Sequence, residues 1–235
     1  MSRHPPRRPA PSPSPIPSVL VLATAVLGAA ACSGEPPLPG CPVQRLTWAA
    51  RFERVPGQHV SGACARKAGE QLGVQTYQVP GSSQTTLALK PRTLARLDAV
   101  DPVSPGFSLG AFSEDAGPDD FCVATSLSVA EKHVPGSGGN PARDLVYRWT
   151  EVKILSRPDA PGSQLVATVE YTEDGCTATY EVWGVWPSLS CRGEDGSPDD
   201  RLCDTTAHGM NPDFALACDP TQLRCVPARR PPSFK

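Results

Sequence analysis

The sequence is poor in the residues that most chemistry needs. It has four histidines, of which His59, His133 and His208 lie beyond the first segment, and none has the spacing of H-E-x-x-H or another ligand motif. Walker A and G-x-G-x-x-G loops are absent, and Ser128 and Lys132 do not fit S-x-x-K. No two cysteines form a C-x-x-C pair, which argues against a zinc knuckle. Aromatic residues make up only 6% of the chain, and lysine is far outnumbered by arginine. A long apolar run is missing too. Val19–Ala31 would rise only about 20 Å as a helix, short of the roughly 30 Å of a bilayer core. These absences leave an enzyme without a positive motif, so catalysis is the less favoured expectation, and no cofactor or metal is called for.

Proline, glycine and cysteine are plentiful. Arg3, Arg7 and Arg8 precede the Val19–Ala31 run, which ends in Leu27-Gly28-Ala29-Ala30-Ala31-Cys32. A basic segment, an apolar segment and small residues before a cut are the layout of a secretory signal. Ending in cysteine, the stretch resembles the lipobox of bacterial lipoproteins, in which that cysteine carries lipid and becomes the mature N-terminus. It departs from the usual pattern in having Ala29 where leucine is common. The resemblance implies residues 1–31 as signal peptide, Cys32 as lipid attachment site, and a membrane partner reached through that lipid. Ser33 rather than aspartate after the cysteine implies the outer membrane of a Gram-negative cell envelope. Residues 32–41, rich in Pro and Gly, read as a flexible tether.

Nine cysteines is an odd number. Setting Cys32 aside leaves Cys41, Cys64, Cys122, Cys176, Cys191, Cys203, Cys218 and Cys225, which in an oxidising compartment read as four disulfides. Connectivity is not fixed by sequence. Cys176–Cys191 is disfavoured, because a strand from Cys176 to Trp186 would carry the chain about 33 Å away. Cys218–Cys225 across a short turn and Cys41–Cys64 as an N-terminal staple are the expected pairs. Removing Arg3, Arg7 and Arg8 leaves nineteen basic against 24 acidic residues, a net charge of −5. The one basic cluster along the sequence is Arg229-Arg230, so no nucleic-acid partner is expected.

Period-two alternation marks strands at Leu46–Glu53, Val74–Val79, Thr85–Lys90 and Phe121–Val129. Arg92–Ala99 reads as a short helix and residues 101–120 as loop. The strongest signal is Leu165–Thr172 and Cys176–Trp186 about Asp174-Gly175, a type I′ hairpin turn. That turn sets Tyr171 opposite Ala178, Val169 opposite Tyr180, Ala167 opposite Val182 and Leu165 opposite Gly184 on one face. On the other face Val166 meets Trp183, with Val185 nearby. Val166, Trp183 and Val185 therefore either lie under another layer or form a binding surface. Leu145–Leu155 is a third strand whose apolar phase shifts midway, which calls for a bulge near Thr150-Glu151. Two acidic turns, Glu114–Asp120 and Glu194–Asp200, precede cysteines but do not fit a calcium loop.

Together these features predict a mainly β fold, a single antiparallel sandwich or barrel-like domain over residues 42–190. A disulfide-stapled cap follows at 191–226, then a basic Pro-rich tail at 227–235. Tyr171–Tyr180 with Trp186-Pro187 and Cys191, and Gly209–Phe214 with Cys218 and Cys225, resemble uncharacterised lipoproteins of high-GC Gram-negative bacteria, myxobacteria among them. That resemblance implies no activity. The functional expectation is a lipid-anchored envelope protein with a structural, adhesive or protein-binding role; a glycan or small-ligand module and an exported hydrolase are the alternatives.

Overall fold

In the computed structural model the chain divides into two units, Met1–Pro37 and Leu38–Lys235. The structure describes residues 40–235 apart from 79, 83 and 140. The signal segment, Cys32 and most of the expected tether therefore lie outside the described residues.

Among the described residues eleven strands carry the fold: β1 (Leu46–Arg54), β2 (Glu70–Gln78), β3 (Thr85–Pro91), β4 (Ser108–Phe112), β5 (Phe121–Thr125), β6 (Ala130–Val134), β7 (Arg143–Arg157), β8 (Ala160–Glu173), β9 (Cys176–Val185), β10 (Leu216–Asp219) and β11 (Arg224–Pro227). One helical turn, α1 (Arg92–Ala95), follows β3. Strands β1 to β5 and β7 to β9 pair antiparallel in a ring, closed by β1 against β9 and by β5 against β7. The mainly β expectation thus resolves to a closed eight-stranded barrel, with β6 as an extra strand on the first half of β7. Closure removes the unpaired edges that an open sheet would expose.

The β8–β9 hairpin has the expected register in every pair. Asp174 and Gly175 both have positive φ, as a type I′ turn requires. The register of β7 against β8 shifts between Trp149 and Glu151, at the expected bulge. Leu145, Tyr147 and Trp149 then face the core before it, and Val152 and Ile154 after it. Two strands of the main sheet were illegible, as were β10 and β11 in the stretch read as a cap. β4 sits in the Gly/Pro-rich stretch read as loop, and β6, Ala130–Val134, carries charge at Glu131, Lys132 and His133. Lys132 is buried all the same, because its ammonium donates to the carbonyls of Asp101 (2.6 Å) and Ser104 (2.9 Å) and pairs with Asp98. The helix expected at Arg92–Ala99 is regular only to Ala95.

Eight strands leave a lumen about as wide as the side chains that fill it. Trp48, Phe52, Tyr147, Trp149, Tyr171 and Tyr180 occupy it with Leu72, Leu87, Leu89, Val152 and Ile154. Each large side chain so buried contributes roughly 1.5–3 kcal/mol. Gly162, at φ +63°, lets the entering chain cross β8: a Cβ there would stand 2.1 Å from the Pro42 carbonyl oxygen.

A second apolar cluster lies outside the barrel. Val166 and Val185 pack with Phe121, Leu155 and Ala160 beneath Met210 and Phe214. The residues after Val185 form this cover, including the hairpin β10–β11. The last residues join it. Phe234 meets Phe214 edge to face, and Ser233 donates its backbone N–H to the buried Gln164 side chain at 2.7 Å.

Four disulfides join Cys41 to Cys122, Cys64 to Cys176, Cys191 to Cys218 and Cys203 to Cys225. This corrects two expected pairs. Cys218 and Cys225 do face each other across β10–β11, but backbone bonding already joins those strands. Their sulfurs instead tie the hairpin to Cys191 and Cys203 in the preceding loop. Cys41 enters beside the β4–β5 turn, its N–H bonded to Glu114, and so reaches Cys122 and not Cys64. All eight cysteines should resist alkylation in the unreduced protein, and peptide mapping should recover a Cys64–Cys176 fragment. The Cys64→Ser/Cys176→Ser variant should lose about 2–4 kcal/mol of stability. Recovery of a Cys41–Cys64 fragment would refute this connectivity.

Candidate functional site

Residues just before β2 plug one mouth of the barrel. The Lys67 ammonium lies 5.1 Å from the Tyr171 ring centre, 5.4 Å from that of Tyr147 and 5.6 Å from that of Phe52. It pairs with Glu70 at 2.7 Å. Glu70 also accepts from the Tyr147 hydroxyl at 2.7 Å and from the Thr93 N–H at 2.8 Å. Burial, reinforced by the Glu70 charge, pushes the Tyr147 hydroxyl well above the usual tyrosine range. Burial likewise raises Tyr171, whose hydroxyl donates to Glu173. These tyrosines stay protonated and act as donors. The Tyr180 hydroxyl accepts from the Lys67 N–H and donates to the Cys64 carbonyl. The plug and the Cys64–Cys176 bridge thus share one anchor. The side chains at this mouth are engaged with one another.

A groove of about 720 Å³ runs over the outer face of β1 to β4. Leu46, Tyr77, Phe107 and Leu109 line it, and they are 74%, 52%, 42% and 39% exposed. Gly73, Val74 and Ala88 give it a shallow floor. Around Leu46 it continues into a second hollow beside Trp186 and Pro187. Alternation along Leu46, Trp48, Ala50 and Phe52 would put Leu46 on the buried face of β1. It sits at φ +86°, outside regular strand geometry, and its side chain projects outward.

The surface expected from strand parity lies elsewhere and is mostly covered. Val166 and Val185 are buried under the C-terminal segment, so the covered alternative holds for them. Trp183 is half-buried; it pairs with Arg51 of β1, whose guanidinium lies 5.6 Å from the indole.

Carboxylates of the second acidic turn are occupied. Asp195 accepts from Ser197, and Asp199 holds Arg201 at 2.8 Å; these donors keep both carboxyls below the usual range. Among the described residues, the metal-spaced group is Cys191, Cys203 and Cys225, and all three sulfurs are in disulfides. One motif escaped the sequence reading: Gly106-Phe107-Ser108-Leu109-Gly110 has the G-x-S-x-G spacing of a hydrolase elbow. Such an elbow needs an exposed hydroxyl between strand and helix. Ser108 instead begins β4, and its Oγ is buried without a hydrogen-bond partner among the described residues.

The fold and its surfaces therefore define a disulfide-stapled antiparallel β-barrel with a filled lumen and external grooves. The sequence profile of the MlpA family matches residues 46–187, from the start of β1 to the cis proline after β9. A Myxococcus xanthus protein described as "Putative lipoprotein MlpA" is 33% identical over 230 residues, covering 92% of this chain and 96% of that one. The chain belongs to the MlpA family. No solved structure matches it.

The plug offers a direct test of what holds the barrel mouth. Glu70→Gln leaves the Lys67 charge buried without its counter-charge and should cost about 3–5 kcal/mol. Lys67→Met/Glu70→Gln should cost less than the two single changes together. Strict additivity in a urea-denaturation cycle would show that the pair is not coupled.

Proposed function

We propose that this protein is an envelope lipoprotein, carried by lipid on Cys32 in the outer membrane, that works by binding a protein partner through the groove on β1 to β4. The description of the Myxococcus xanthus relative as a lipoprotein supports the anchor. So do the small-residue run before Cys32 and the eight remaining cysteines, all in disulfides. Clickable fatty-acid labelling should mark the wild type and not Cys32→Ala. Equal labelling of both would dispose of the anchor.

The single observation that carries the binding role is the convergence of Leu46, Tyr77, Phe107 and Leu109, all exposed, on one groove. Isolated exposed apolar residues are ordinary, whereas a contiguous patch marks an interaction surface. The chemistry favours a protein over a glycan. Its exposed large side chains, Leu46, Tyr77, Phe107 and Leu109, are apolar over most of their surface, and the cation Lys90 is already held by Asp98. Thr47, Gln75 and Thr86 lie beside them, but the apolar area dominates and suits the apolar side chains of a protein partner.

A photocrosslinking residue in place of Ala88 should give a discrete protein adduct in the native envelope. Tyr77→Glu/Leu109→Glu should abolish that adduct while leaving the melting temperature within about a degree, since both side chains are exposed. An adduct that persists in the folded double variant would remove the groove from consideration.

A further inference from the structure

The C-terminal segment does more than cover Val166 and Val185. It forms one side of a polar cleft of about 490 Å³. Lys67, Arg92 and Arg96 line the cleft from the barrel, and Arg192 and Arg224 from the C-terminal segment. Against these five cations the lining holds one carboxylate, Glu70, whose oxygens are already engaged by Lys67, Tyr147 and Thr93. None of the four arginines makes an ion pair among the described residues. Asp219 brings a second carboxylate to the Gly69 floor, its Oδ2 3.1 Å from where a Cβ there would stand, while its Oδ1 accepts from the N–H groups of Thr221 and Gln222.

The cleft is firmly built. Gln222 donates to the Ala50 carbonyl at 3.0 Å, which leaves its own Oε1 buried and without a donor. A Cβ on Gly69 would stand 2.5 Å from both that carbonyl oxygen and the Gln222 Nε2, so the floor admits nothing larger than glycine. Four guanidinium groups around one hollow, in a chain of net charge −2, repel one another until a counter-charge arrives.

We infer that this cleft binds an anion through phosphoryl oxygens. Guanidinium presents paired donors in a plane that matches phosphate, and it keeps its charge at any physiological pH. The excess of cations selects for multiple charge: one carboxylate would offset a single arginine, whereas a diphosphate group offsets most of them. The hollow is within the roughly 300–1,000 Å³ of small-ligand sites, large enough for a diphosphate and part of what it is attached to. The site stands apart from the groove on β1 to β4 and does not depend on that groove's role.

Titration calorimetry on the full-length protein in detergent tests it, with sodium pyrophosphate as one probe and phosphatidic acid in micelles of the same detergent as the other. Pyrophosphate should bind saturably. Arg92→Gln/Arg96→Gln and Arg192→Gln/Arg224→Gln, on opposite walls, should each weaken binding by about tenfold or more, so either pair suffices if the other fails to fold. Arg45→Gln/Arg66→Gln, outside the cleft, should bind as the wild type does. Binding confined to the phosphatidic acid micelles, with the same sensitivity to the variants, assigns the phosphoryl group to a lipid headgroup. Citrate binding as tightly as pyrophosphate, equal loss in the Arg45/Arg66 control, or no binding to either probe would overturn the proposal.

Discussion

Closure of the ring through β7 is the constraint from which the rest of the architecture follows. This strand must bond to β8 along its length, to β6 near its start and to β5 near its end. A regular strand of that length would keep one set of side chains inward throughout, and the phase of its apolar residues does not allow it. The bulge at Thr150 resolves the conflict by advancing the pleat one residue. Trp149 and Val152 then both face the core, and β7 turns toward β5. Losing the bulge would direct Val152 and Ile154 outward and Glu151 and Lys153 into the lumen.

A barrel closed in this way has mouths to seal. At one, Lys67 enters among three aromatic rings and is neutralised by Glu70, which Tyr147 and Thr93 hold in turn. Elsewhere Lys132 satisfies the carbonyls of the loop before β4, and the Asp101 carboxylate accepts from the N–H groups of Val103, Ser104 and His133. Those donors hold the Asp101 carboxyl well below the usual range. Both devices bury charge, which costs free energy unless every donor and acceptor is matched. That expenditure goes into a lumen filled with side chains.

How much of this was legible in the sequence depends on the range of the interaction. The β8–β9 hairpin was readable to the residue because its register follows from a two-residue turn and strict alternation. The bulge was readable because it breaks that alternation in a known way. β6 was not, since its buried lysine mimics a polar loop until the carbonyls of Asp101 and Ser104 are brought beside it. Connectivity of the cysteines was not legible either. Cys64 and Cys176 are 112 residues apart in sequence, and no local pattern encodes their meeting. The outward-facing Leu46 was misread for a local reason: its positive φ takes it out of the alternation that its neighbours obey. Val166 and Val185 were correctly assigned to the outer face, but only the folded C-terminal segment decides that this face is covered.

The same argument bears on where binding groups are to be sought in this fold. Arg92 and Arg96 follow β3, while Arg192 and Arg224 flank the Cys191–Cys218 bridge, so in sequence they read as scattered surface charge. The adjacent pair Arg229-Arg230 looks like the basic cluster, yet Arg230 is engaged by Glu181 of β9. Cross-linking the C-terminal segment makes the difference. The bridges Cys191–Cys218 and Cys203–Cys225 fix the β10–β11 hairpin to its own loop, and Gln222, at the turn of that hairpin, bonds to Ala50 on the barrel wall. That bond sets the C-terminal arginines opposite those of α1. The disulfides thus do more than stabilise the segment: they fix Arg192 and Arg224 on one wall, which the Gln222 bond seats against the barrel. Such an arrangement gains free energy when an anion enters and needs no movement of the backbone to receive it.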